Sequence, residues 1–201
     1  ISGSVKINEN ATLARAQFDR IRAGSWLDAP VTLIGRGRDI APQISLVGGD
    51  LDLRNMPSFN ANNNSGAVPL SITLDRLRVS KDIVLRNFTG EFQSNKGLTG
   101  EFQGRLNGKS RISGRTVPRG GKTAVQIKSA NAGATIGDAG LLKNAAEGAL
   151  TLSLSPRARP GEYDGTLEIT NIRLRDAPAS LAVLSAASGI GLLEQMDGRG
   201  L

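Results

Sequence analysis

The strongest constraint in this chain is an internal echo. FTGEFQS, residues 88–94, returns ten residues later as LTGEFQG, residues 98–104. Both runs alternate apolar and polar positions with a period of two, which is strand periodicity, and a Gly-containing turn separates them. Such a pair predicts a hairpin, and parity fixes its register. With a two-residue turn Phe92 opposes Thr99 and the apolar faces disagree. With a three-residue loop, Asn95-Lys96-Gly97, they agree, and Gly97 takes the left-handed position of a type I turn plus bulge. Phe92 then faces Gly100, Phe102 faces Gly90 and Phe88 faces Gly104, each ring covering bare backbone. A one-residue slip would turn the whole apolar set to the other side of the sheet.

The same logic extends along the chain. After the hairpin, Asn107-Gly108 looks like a two-residue turn, but parity requires an odd loop that sets Ile112 opposite Gly104. Before the hairpin, Ile72 and Leu74 alternate with Ser71 and Thr73, whereas Leu77 and Val79 fall on the opposite parity. That switch predicts a bulge or kink near Asp75 and Arg76. Further strands are expected at residues 124–128, 149–154 and 163–169, with another switch of parity at Ile172 and Leu174. In the first part, strands are expected at residues 4–7, 30–34 and 43–53, and a poorly spaced helix over residues 11–21. MPSFNANNNSGAVP, residues 56–69, has no periodicity and reads as a loop. It divides an N-terminal strand-rich segment, 1–69, from a β region, 70–201, within one continuous sheet.

Asp176 and Pro178 suit the start of a helix, and residues 178–196 are expected to form a short closing one. Its Leu181 and Leu184 would lie on the end of the sheet. The expected fold is mainly β: a long, curved antiparallel meander, groove-like, with that helix packed on the sheet end. With aromatics at only 3% of the chain, the core is expected to be thin and aliphatic. A parity count places Ile72, Leu74, Phe88, Phe92, Leu98, Phe102, Leu106, Ile112, Leu152, Leu167 and Ile169 on the apolar face. That face must be covered by closure, by a second sheet, or by an apolar guest.

The chain has no Cys and no His, which removes thiolate and imidazole chemistry and the usual metal ligands. No metal, no cofactor and no catalytic residue is expected. Asp50/Asp52 and Glu162/Asp164 are paired carboxylates of the kind glycoside hydrolysis uses, but a polar strand face explains them as well. The net charge of +7 is uneven: residues 76–128 hold 12 Lys/Arg against Asp82, Glu91 and Glu101. This stretch is either a solvated outer face or a surface for anionic headgroups. Nucleic acid is not the expected partner, because the rings fall on the apolar face and do not interleave with the basic residues. No run reaches the roughly 18 apolar residues that span a bilayer. Starting at Ile1 without Met, the chain is expected to be a piece of a longer protein.

SANAGATIGDAGLLKNAAEGALTLSLSP, followed by YDGTLEITNIRLRDAPASLAVLSAASGIGLLEQMDGRGL, resembles the C-terminal region of AsmA-like proteins, particularly the large YhdP-type members. The matching features are Asn131-Ala132-Gly133, the strand from Tyr163, Asp176-Ala177-Pro178, the Leu181 and Leu184 stripe, and Gly198-Arg199-Gly200-Leu201. The resemblance covers roughly residues 70–201, and Asn131 stands where Asp is more usual in the family. It implies a bridge-like protein anchored in the inner membrane of a Gram-negative bacterium by an N-terminal helix and extending through the periplasm. Its apolar β-groove would carry phospholipid acyl chains toward the outer membrane, and the eleven residues of the parity count are then expected to line it and bind those chains. The alternative is a scaffold for outer-membrane biogenesis that carries no lipid, with envelope proteins as its partners.

Overall fold

The structure, a computed structural model, describes residues 2–57, 66–159 and 161–174. The chain is mainly β. Its strands are β1 (Gly3–Ile7), β2 (Leu13–Ala23), β3 (Leu27–Ile34), β4 (Gln43–Val47), β5 (Asp50–Asp52), β6 (Val68–Arg78), β7 (Val84–Ser94), β8 (Leu98–Leu106), β9 (Ser110–Arg119) and β10 (Lys122–Ser129). A helix, α1 (Ala132–Asp138), and β11 (Ala145–Ala146), β12 (Ala149–Pro156), β13 (Tyr163–Thr170) and β14 (Arg173–Leu174) complete it. Among the described residues, twelve strands form one sheet in the order β1-β2-β3-β4-β6-β7-β8-β9-β10-β12-β13, with β5 continuing β4 beside β3 and β6. The separate pair β11-β14 lies beside α1.

The echo is a hairpin, and its register follows the parity. Ser94 pairs with Leu98 around a three-residue loop, Phe92 faces Gly100, and Phe102 faces Gly90. In the loop Lys96 takes the left-handed backbone at φ 48°, while Gly97 sits at φ 127°, so the left-handed position falls one residue earlier than expected. The next turn is also three residues long, with Leu106 opposite Ser110 and Ile112 opposite Gly104.

Phe88 lies across from Gly104 as parity requires, with a Cβ on Gly104 falling 3.6 Å from Phe88 Cα, and the irregularity comes just before it. The β7–β8 ladder shifts between Arg86 and Thr89, where Asn87 adopts φ 49°. A bulge adds a residue to one strand and shifts the rest of its ladder by one position. The expected kink in β6 lies opposite it: Leu74 pairs with Phe88 and Arg76 with Arg86, and the ladder skips Asp75. Together these irregularities bring Leu74 and Leu77, and Leu85 and Phe88, onto one face, where all four are buried.

Three further expectations differ from the structure. Residues 11–21 are not helical but belong largely to β2. The spacing of Phe18 and Ile21 looks helical, yet it arises from a bulge: Phe18 faces Val31 while Ile21 faces Ala29. Residues 43–53 form two strands, because Gly48 and Gly49, at φ 87° and 82°, break the run. The meander is also interrupted once, since β4 and β5 run parallel to β6. A parallel neighbour needs a long connection, and Asp52 and Val68 are far apart in sequence. The expected helix at 178–196, with Leu181 and Leu184, lies outside the described residues.

Helix α1 was not anticipated. The Asn131 side chain caps it by accepting the Ala134 N–H at 3.0 Å, and Thr135 Oγ1 donates to the Asn131 carbonyl at 2.8 Å. Ala132 and Gly133 allow close approach: a Cβ on Gly133 would lie 2.5 Å from the Ala145 carbonyl carbon. Ile136 joins Ala132 and Leu150 in a small core, on which Leu152, Leu167, Ile169 and Ile172 pack. At its other end, the Asn107 amide donates to the Asp138 carbonyl at 2.8 Å, and Asp138 accepts from the Ser110 N–H at 3.0 Å. These bonds tie α1 to the start of β9.

Candidate functional site

Because every ladder has a defined register, residues line up in rows that cross the whole sheet. One row runs Gly3, Phe18, Val31, Leu46, Ile72, Gly90, Phe102, Gly114, Ile127, Leu152 and Leu167, from β1 to β13. The next row on the same face runs Val5, Ala16, Leu33, Ile44, Leu70, Phe92, Gly100, Thr116, Val125, Leu154 and Gly165. Each position in these rows is apolar or glycine except Thr116. Between them, on the other face, runs Ser4, Gln17, Thr32, Ser45, Ser71, Glu91, Glu101, Arg115, Gln126, Ser153 and Thr166. That row is polar at every position. The sheet is two-faced along its full width.

Glycines in the apolar rows are where rings lie. Phe102 sits between Gly90 and Gly114, and Phe92 beside Gly100. A Cβ on Gly100 would come within 2.7 Å of the Phe92 ring, and one on Gly114 within 2.8 Å of the Phe102 ring. The Phe88 ring stacks on Phe92 with centroids 6.5 Å apart and lies 5.7 Å from that of Phe102.

All eleven residues expected on the apolar face are found in its two clusters. Leu74, Phe88, Phe92, Leu106 and Ile112 are buried in the larger one, with Ile72, Leu98 and Phe102 packed against it. Leu152, Leu167 and Ile169 pack against the smaller one under α1. Sequence reasoning missed the continuation of this face through β2, β3 and β4, at Phe18, Val31, Leu33, Ile44 and Leu46. The helical interpretation of residues 11–21 hid it. The alternation of Ala16 and Phe18 with Arg15 and Gln17 was the available signal.

The burial is uneven. Leu74 is 1% exposed, whereas Leu33, Ile44, Leu70, Val125, Leu152 and Leu154 are only partly buried. Among the described residues, α1 is the only helix, and it covers the β12–β13 end of the face. Among the same residues, both outermost strands have one free edge, and in β1 Val5 and Ile7 are 58% and 66% exposed.

The paired carboxylates are each held by arginine. Asp50 is bound by Arg76, Asp164 by Arg157, and Glu162 lies 3.5 Å from Arg159. Asp52 accepts from Arg54 Nη2 at 2.6 Å and Nε at 2.9 Å. These bonds hold the Asp52 carboxyl down at about 2. Among the described residues no group of three or more Asp and Glu is placed to hold a metal ion, and no helix is long and apolar enough to cross a membrane. No family model, no curated protein and no solved structure matches this chain.

Proposed function

We propose that this chain is a section of an AsmA-like, bridge-like protein of the Gram-negative envelope, and that its apolar sheet face carries phospholipid acyl chains between inner and outer membrane. The supporting observation is the pair of apolar rows that cross the sheet from β1 to β13 with a fully polar row between them on the other face. A sheet that only needs a core can taper at its edges. Here the apolar pattern reaches both outermost strands among the described residues and leaves aliphatic side chains partly open away from α1. Acyl chains satisfy such a face at roughly 25 cal/mol per Å² of surface removed from water. The polar face stays in the periplasm.

A second role has its own observation. Phe88, Phe92, Leu106 and Ile112 are already buried by neighbouring strands, as a scaffold that carries no lipid requires. Native mass spectrometry of the protein purified from a Gram-negative host separates the two. Phospholipid in defined stoichiometry, with photo-crosslinkers at the partly open Leu33 and Ile44 capturing lipid in cells, supports the conduit. A lipid-free protein whose crosslinkers capture only protein supports the scaffold.

A further inference from the structure

The polar face carries one row in which a single charge repeats. Arg76 of β6 pairs with Arg86 of β7, Arg86 with Arg105 of β8, and Arg105 with Arg111 of β9. Four arginines thus stand directly across four adjacent strands. At about 4.8 Å between strands the row is roughly 14 Å long. Like charges directly opposite each other destabilise a sheet, so the arrangement opposes folding.

The row continues to the other side with acids. Asp50 pairs with Arg76, Asp28 with Asp50, and Arg22 with Asp28. Those charges are matched: Arg76 binds Asp50, and Arg20 and Arg22 bind Asp28. Arg86, Arg105 and Arg111 have no such match, and none of them is in an ion pair among the described residues. The Arg105 guanidinium donates to the Lys109 carbonyl at 3.0 Å, which holds it at the turn. The nearby Asp138 carboxylate is taken by Ser110 and, at 3.7 Å, by the Lys109 ammonium.

Position gives the row its meaning. Arg86, Arg105 and Arg111 lie within two residues of a strand end, so they follow one rim of the sheet. Each has an apolar-face neighbour in sequence: Leu85, Leu106 and Ile112, all buried. The rim thus presents its guanidinium groups on the polar side, while protein fills its apolar side. Guanidinium forks bind phosphate oxygens in pairs. Nucleic acid fits less well, because Phe88, Phe92 and Phe102 lie in the core of the opposite face and offer no stacking platform.

We propose that Arg86, Arg105 and Arg111, flanked by Arg76, form a rim site for the phosphate of anionic phospholipid headgroups. The site rests on the lipid-carrying role proposed above and adds to it a headgroup preference.

The test is binding to phosphatidylcholine vesicles with and without phosphatidylglycerol, at low and at physiological salt. The triple variant R86Q/R105Q/R111Q is compared with a control, K96Q/R119Q/K128Q, that removes the same charge elsewhere. Losing three arginines from the rim is expected to weaken binding to the anionic vesicles roughly a hundredfold. Binding to pure phosphatidylcholine should be unchanged, and the control should lose far less. Because like-charge repulsion is relieved, the rim variant should melt no lower than wild type, which guards against loss of fold. Equal weakening in both variants, or none in the rim variant, overturns the proposal. So does displacement of the vesicles by millimolar inorganic phosphate, which marks a free-anion site, or tighter binding of a single-stranded oligonucleotide than of vesicles. Lipid extraction separates the two levels. Unchanged acyl occupancy with lost preference for anionic headgroups in the rim variant supports the site and leaves the conduit standing. Rim-dependent vesicle binding by a protein that never co-purifies lipid supports the site and removes the conduit.

Discussion

The Asp75 carboxylate accepts the backbone N–H of Gly49 at 2.8 Å. This bond joins the break between β4 and β5 to the kink in β6, and the Asn87 bulge of β7 lies on the other side of that kink. The three irregularities form a line across the sheet. Along it, the parity of each strand changes together, so the apolar face stays continuous. Asp75→Ala should lower stability by about 1–2 kcal/mol, since it strands a donor at a bend that the ladder does not satisfy. Asp75→Asn keeps the acceptor and should recover most of the loss. Urea unfolding of the two variants checks the difference.

Gly49 itself tolerates no side chain. It sits at φ 82°, and a Cβ there would lie 2.7 Å from Ala29 Cα, at a residue only 1% exposed. Gly49→Ala combines left-handed strain with a clash against backbone, and is expected to cost more than Asp75→Ala. Thermal unfolding in parallel with Gly120→Ala ranks them, because Gly120 has a similar φ of 57° and open space around it.

The ring-over-glycine pairs make a sharper test of the core. A Cβ on Gly114 would run into the Phe102 ring and lie 2.6 Å from the Gln126 carbonyl oxygen. Gly114→Ala should therefore destabilise by about 1–3 kcal/mol through overpacking. Phe102→Leu in the same chain removes the ring but not the carbonyl, so it should rescue only part of the loss. A double-mutant cycle in urea reads that coupling, and full additivity would show that ring and glycine do not press on each other.

Thr116 is the one polar residue in the two apolar rows. It is 7% exposed, and its hydroxyl has no hydrogen-bond partner among the described residues. Valine has nearly the same shape without the stranded hydroxyl. Thr116→Val is therefore expected to leave stability unchanged or raise it by about 1 kcal/mol. A loss above that size, measured by urea unfolding, would mean that the hydroxyl has a partner in solution.

The sequence made the centre of the sheet legible because one hydrophobic parity governs a hairpin whose turn length has few solutions. Phe92 opposite Gly100 and Ile112 opposite Gly104 followed from that alone. What failed was local. The bulge between Phe18 and Ile21 mimics helical spacing, and a single strand cannot reveal which way its partner shifts. Asp75 was visible as a change of parity; Asn87, its counterpart in β7, was missed, although the odd spacing of Leu85 and Phe88 carries the same signal. Helix α1 is too short to show a period, and its cap, Asn131, is a common loop residue. The arginine row could not be read from composition. Twelve basic residues between 76 and 128 are plain in the sequence, but which of them stand side by side depends on four registers at once.

Acid should expose the ion pairs that line the polar face. Asp52 is held at about 2, below its ordinary 3.8, foremost by hydrogen bonds from the Arg54 side chain. Arg20 lowers Asp28 in the same way, and Arg157 lowers Asp164. A carboxyl whose pKa falls on folding binds fewer protons in the native state, so stability rises with pH across the interval. The contribution is fully present above about pH 4 and is lost as the pH falls toward about 2. Asp52→Asn should therefore be less stable than wild type near neutrality, with the gap closing below about pH 3. The exposed pairs of Asp28 and Asp164 act with the same sign but are screened by salt. Raising the salt concentration should flatten their part of the acid limb and leave the less exposed Asp52 part in place. Unfolding midpoints measured from neutral pH downward at two salt concentrations decide it, and a gap between Asp52→Asn and wild type that stays constant with pH would remove Asp52 from the acid limb.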